Sequence, residues 1–125
     1  MLKDELKRHL RMYADIRNGL AEGVTEIAVC SSGRQKRVRV APWAYKLKDI
    51  ISAVISAETE PLAAEMIELC IVRGKSDKAV LSEMPLSEST FYRWKQRFTE
   101  KVYELLIQGG EVSRQEILKN SISEN

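Results

Sequence analysis

Apolar and polar positions alternate along this chain with helical spacing in several stretches and with strand-like spacing in only one. Leu2, Leu6, Leu10 (with His9 beside it), Tyr13, Ile16 and Leu20 recur three and four residues apart. That spacing predicts an amphipathic helix of roughly five turns, ended at Asn18-Gly19 or at Gly23. Its polar face mixes Lys, Asp, Glu and Arg. The apolar stripe admits two uses: docking on the rest of the chain, or self-association with a second copy. With fewer than three clean heptads, the pattern falls short of a coiled coil.

Between Val24 and Val40 the periodicity is lost. Ile27, Ala28 and Val29 predict a brief strand, which Ser31-Ser32-Gly33 interrupts. GRQKRVRV follows, with Arg34, Lys36, Arg37 and Arg39 interleaved with Val38 and Val40. This segment reads as a basic loop or arm, either solvated or laid against DNA phosphates or a minor groove.

Helical spacing returns after Pro42, which is tolerated in the first turn of a helix. Trp43, Leu47, Ile50, Ile51, Val54 and Ile55 form the apolar face there, with Lys46, Lys48 and Asp49 facing water. Glu58-Thr59-Glu60-Pro61 separates that helix from a second one, Leu62 to Arg73, whose apolar face holds Met66, Ile67, Leu69, Cys70 and Ile71.

Two helix starts then lie close together. Ser76 before Asp77 and Ser87 before Glu88 each offer a hydroxyl oxygen to the unpaired N–H groups of a first turn. Met84-Pro85-Leu86 must turn sharply between them, because Pro85 has no N–H and disfavours helical geometry at Met84. On the second helix, Phe91, Trp94, Phe98, Val102 and Leu105 fall along one stripe. Ser89, Tyr92, Arg93 and Gln96 fall on or near the opposite side, with Arg97 on its flank. Gly109-Gly110 is a natural stop, after which EVSRQEILK predicts a short helix and NSISEN a polar end.

The expected class is therefore all-α, with any strand confined to residues 24–40. Four segments follow from the punctuation: an amphipathic helix over 1–22, a basic loop over 23–41, a helical domain over 42–110, and a short helix and tail over 111–125. Trp94 and Phe98 are assigned to the core, because a lone pair of helices cannot bury enough apolar surface to fold.

Charge sharpens the picture once it is divided. Net charge is +2, yet residues 1–50 carry eleven Lys/Arg against six Asp/Glu, while 51–125 carry nine against twelve. Within that acidic half, Arg73 to Lys101 holds seven basic and four acidic residues. Positive charge gathers at the two-helix stretch and at the basic segment before it, as a phosphate-binding surface requires. Candidate chemistry is otherwise thin. A single His9, with Cys30 and Cys70 far apart in sequence, offers no zinc spacing and no nucleophile–base pair, so neither a cofactor nor an enzymatic function is expected. The opening MLKDELKRHL is too charged for a secretory signal, and no apolar run approaches ~18 residues.

Residues Ala64 to Leu106, AEMIELCIVRGKSDKAVLSEMPLSESTFYRWKQRFTEKVYELL, resemble the sigma-factor region-four type of helix-turn-helix found in small phage transcriptional regulators. The overall layout is similar to the ArpU/RinA group of late-gene activators. The resemblance implies sequence-specific DNA binding in transcription, with double-stranded DNA and RNA polymerase as partners, in the cytoplasm. A homodimer is a candidate oligomer, since such proteins commonly bind paired half-sites, but the sequence does not fix the oligomeric state. Ser89, Tyr92, Arg93 and Gln96 are the base-edge candidates, and Lys75, Lys78, Lys95 and Arg97 the phosphate candidates. Arg34, Lys36, Arg37 and Arg39 are a second phosphate set. STFYRWKQR also resembles the helix-turn-helix of small transposase subunits, so a DNA-targeting subunit of a transposase or a phage packaging (small terminase) complex is the alternative. A protein-interaction adaptor is a further one.

Overall fold

The computed structural model describes residues 2–109; the short helix expected over 111–125 lies outside them. Most of the described chain is helical. It comprises α1 (Leu2–Ile16), a hairpin of β1 (Glu26–Ser31) and β2 (Arg34–Arg39), then α2 (Leu47–Ala57), α3 (Pro61–Ile67), α4 (Asp77–Glu83) and α5 (Glu88–Gln108).

The first helix is shorter than its apolar repeat. After Ile16 the chain tightens into a 3-10 turn at Arg17–Gly19 and leaves extended at Leu20. Leu2, Leu6, His9, Leu10, Tyr13 and Ile16 are all buried. The first four of the apolar side chains join Trp43, Leu47, Met66, Ile71, Phe91, Phe98 and Leu106 in one core. The stripe that could have met a second copy is thus covered by its own chain, and α1 belongs to the helical domain.

The basic segment is not a loop. Arg34 to Arg39 pairs antiparallel with Glu26 to Ser31, with Ile27 opposite Val38 and Val29 opposite Lys36. The two-residue turn has both Ser32 and Gly33 at positive φ, the condition that matches a tight turn to the twist of its strands. Ile27 is buried against Ile16, Val40 and Ala44, with Met12 and Val29 packed around them. That small cluster fastens the hairpin to α1. The rest of β2 is exposed except for Val38, which is half-buried.

Pro42 and Trp43 make a turn, followed by a 3-10 turn at Ala44–Lys46, so the regular helix starts only at Leu47. Burial of Trp43 and Ala44 holds this tight path. The helix expected over Leu62–Arg73 begins at Pro61, and its second half, Glu68–Val72, widens into a π-helical turn. It ends at Gly74, whose φ of +71° few other residues adopt.

On α5 the buried stripe is Phe91, Phe98, Val102 and Leu106. Leu105, expected inside, is 37% exposed. Trp94 is only half-buried at the core margin. For Leu105 the reason lies with α1, which packs on the C-terminal half of α5: Lys3 pairs with Glu100 at 2.6 Å and lies over the Tyr103 ring. That contact draws Leu106 inward and leaves Leu105 on the far edge.

Candidate nucleic-acid interface

The two serine caps form as the sequence requires. Ser76 Oγ accepts from the Ala79 N–H and Ser87 Oγ from the Thr90 N–H, both at 3.2 Å. Ser87 Oγ also donates to Thr90 Oγ1 at 2.9 Å and lies 3.3 Å from Ser89 Oγ. Between the helices the Leu86 N–H bonds the Met84 carbonyl at 2.8 Å, closing a tight turn over Pro85. Val80, Met84 and Phe91 are buried beneath. Three apolar side chains therefore set the position of α5 relative to α4. A polar bond adds to them: Lys95 Nζ lies 2.8 Å from Asp77 Oδ1, joining the second turn of α5 to the first of α4.

This framing leaves one arc of the N-terminal half of α5 facing outward. Ser89, Tyr92, Arg93 and Gln96 are all exposed on it. Tyr92, at 47% exposure, stands edge-on to Phe91 with ring centroids 5.1 Å apart, so its phenol is propped from below. Arg93 has no carboxylate partner among the described residues.

The phosphate candidates divide. Lys78, on the first turn of α4, is exposed and also without an ion pair among the described residues. The other three are matched by carboxylates. Lys75 Nζ meets both oxygens of Glu83 at 2.8 and 2.9 Å, Lys95 meets Asp77, and Arg97 meets Glu58 at 2.9 Å. Such half-exposed pairs contribute only about 0–1 kcal/mol, so a phosphate can compete for these cations, but none of the three starts unpaired.

Arg34, Lys36, Arg37 and Arg39 are exposed along β2, with Arg37 3.4 Å from Glu26 across the hairpin. They are not brought to α5. The hairpin sits on one flank of α1, where Arg8 donates to the Arg39 carbonyl at 3.3 Å, whereas α5 sits on the flank that carries Lys3.

Sequence reasoning did not single out Lys7 and Arg11. They line a groove of about 620 Å³ between α1 and α5, opposite Tyr92, Lys95 and Gln96. Their spacing with Lys3 was readable, but the element they would face was not.

Titratable groups add little chemistry. Burial pushes the Cys70 thiol, on the groove floor, up to about 11, which keeps it protonated and unreactive. Burial likewise raises the Tyr13 hydroxyl and lowers His9. Among the described residues no helix is long and apolar enough to cross a membrane. Comparison with protein-family models, with curated proteins and with solved structures found no match for this chain.

Proposed function

We propose that the protein is a sequence-specific, DNA-binding regulator of transcription that acts in the cytoplasm without a catalytic step. The helices α4 and α5 act as a helix-turn-helix, with α4 crossing the phosphate backbone and the N-terminal half of α5 lying in the major groove. One observation carries this reading. Four side chains suited to base edges share a single exposed arc on the N-terminal half of α5, with Val80, Met84 and Phe91 buried behind it. Rigid presentation of donors is what direct readout of the major groove demands.

Within it, Arg93 reads a guanine through two parallel hydrogen bonds, and Ser89, Tyr92 and Gln96 contact neighbouring positions. Lys78 holds a phosphate from α4, with Lys75, Lys95 and Arg97 exchanging their carboxylates for phosphates nearby. The β2 cations Arg34, Lys36, Arg37 and Arg39 add affinity that is blind to sequence.

Selection of bound duplexes from a random pool tests the proposal and is expected to return one recurrent motif. On that motif, Arg93→Ala should cost about 1–3 kcal/mol of binding and relax preference at one base pair, with an unchanged melting temperature. Recovery of no motif, or wild-type affinity from the variant, would reject this reading.

A further inference from the structure

The row Lys3, Lys7, Arg11 and Ala14 on α1 steps by four, four and three residues, which places all four on one side of the helix. That side faces the partners of α5. At one end Lys3 pairs with Glu100 at 2.6 Å. At the other, Ala14 meets Gly74 so closely that a Cβ built on the glycine would stand 2.7 Å from the Ala14 Cβ. Both ends of the row are thereby pinned against the body. Between the pins the helices part, and the groove of about 620 Å³ opens with Lys7 and Arg11 on one wall and Tyr92 and Gln96 on the other.

The charges in this groove are unequal in availability. Its carboxylates are already engaged, Asp77 by Lys95 and Glu100 by Lys3. Lys75 is held by Glu83. Lys7 and Arg11 are the groove cations with no carboxylate partner among the described residues, and both are exposed. They stand one helical turn apart, a rise of about 6 Å, so both can rest against one strand of a polyanion.

We infer that the groove between α1 and α5 seats one phosphodiester strand of duplex DNA, clamped by Lys7 and Arg11. This rests on the reading of α5 as the groove-bound helix. With Tyr92 and Gln96 turned toward base edges, the strand bordering the major groove runs along the side of α5 where this channel lies. The clamp contributes affinity for any sequence, because it meets phosphates alone. The pinned ends of the row give it a second property: the distance from clamp to reading face is fixed, so it sets the register of α5 on the duplex.

The test measures affinity of the full chain for a mixed-sequence DNA duplex across a range of salt concentrations. Three proteins are compared: wild type, Lys7→Gln/Arg11→Gln, and a control, Lys48→Gln/Lys101→Gln. The control removes the same charge from exposed positions that border other grooves. Each phosphate neutralised adds about 0.9 to the slope of log affinity against log salt. The clamp variant should therefore lose about two units of slope and bind more weakly by the same factor on every duplex, while the control keeps the wild-type slope. Equal slopes for wild type and clamp variant, or equal losses in clamp and control, would overturn the clamp and leave α5 as the reader. Failure of the wild type to bind duplex DNA at all would overturn both.

Discussion

The N-terminal half of α5 and the β-hairpin both present cationic side chains to solvent, but they are attached to the molecule in opposite ways. Behind the first lie Phe91, Val80 and Met84, within a core that also contains α1, α2 and α3. The second is fastened to α1 mainly through the small cluster of Ile27, Ile16, Val40 and Ala44, with the Arg8–Arg39 hydrogen bond beside it. Their charges differ as well. Near α5, Lys75, Lys95 and Arg97 are each matched by a carboxylate while Arg93 and Lys78 have none among the described residues; along β2 only Arg37 is matched among them. A surface that must place donors to a fraction of an ångström needs the first kind of support. A surface that only needs to be positive can do with the second, since phosphate attraction is tolerant of geometry.

Removing support from behind α5 should have the largest effect. Phe91 is fully buried, and Phe91→Ala should cost roughly 3–5 kcal/mol of stability through a core cavity. Trp94→Ala should cost less, about 1–3 kcal/mol, because Trp94 is half-exposed at the core margin and the site can relax. Denaturant unfolding of the two variants checks the order. A Trp94 loss equal to the Phe91 loss would mean that the indole, not the buried Phe91 ring, carries the helix.

The hairpin should yield separately from the helices. Ile27→Ala removes the side chain at the centre of its attachment, a change that costs on the order of 2–4 kcal/mol when fully coupled to folding. A two-stranded hairpin is marginal by itself in water, so the loss should appear as local opening. Backbone amides of β1 and β2 should exchange with solvent much faster in the variant, while those of α5 keep their protection. If α5 loses protection to the same degree, the hairpin is part of one cooperative unit and the two surfaces are equally rigid.

How much of this was readable without coordinates follows from the range of the interactions involved. The caps at Ser76 and Ser87, the turn at Pro85 and the exposed arc of α5 depend on neighbours within four residues, so the chain declares them locally. β2 was hidden because Arg34 to Arg37 has no apolar alternation of its own; its strand state comes from pairing with Ile27 and Val29 across the Ser32-Gly33 turn. The choice of Leu106 over Leu105 depends on where α1 lands, and the Lys95–Asp77 pair bridges a separation of 18 residues. Neither has a local signature. The same holds for the clamp row on α1, whose spacing is visible but whose facing element is not.

The smallest expected effect tests the joint between the two regions, at His9. Its ring is fully buried against Trp43, with centroids 4.9 Å apart. Nδ1 lies 2.7 Å from the Glu5 carbonyl oxygen and Nε2 lies 2.9 Å from the Ala41 nitrogen. The carbonyl can only accept, so Nδ1 carries the proton, and Nε2 takes the Ala41 N–H through its lone pair. A second proton on Nε2 would remove that acceptor and set two donors facing each other. Burial, aided by the nearby Arg8 charge, lowers His9 below its ordinary 6.5, while the Glu5 carbonyl partly opposes this. The unfolded chain then takes up the proton first as pH falls. The stabilisation from neutral His9 is complete above about pH 6.5 and is lost progressively below it, levelling off once the folded-state value is passed. Carboxylates titrate at lower pH, so His9→Gln, which can donate to Glu5 and accept from Ala41 without titrating, isolates the histidine. Melting temperatures of wild type should fall relative to the variant as pH drops below about 6.5, with the hairpin amides loosening first, because Ala41 lies two residues beyond the end of β2. Parallel melting curves across that range would show that the ring is protonated without cost and that the Ala41 bond does not tether the hairpin.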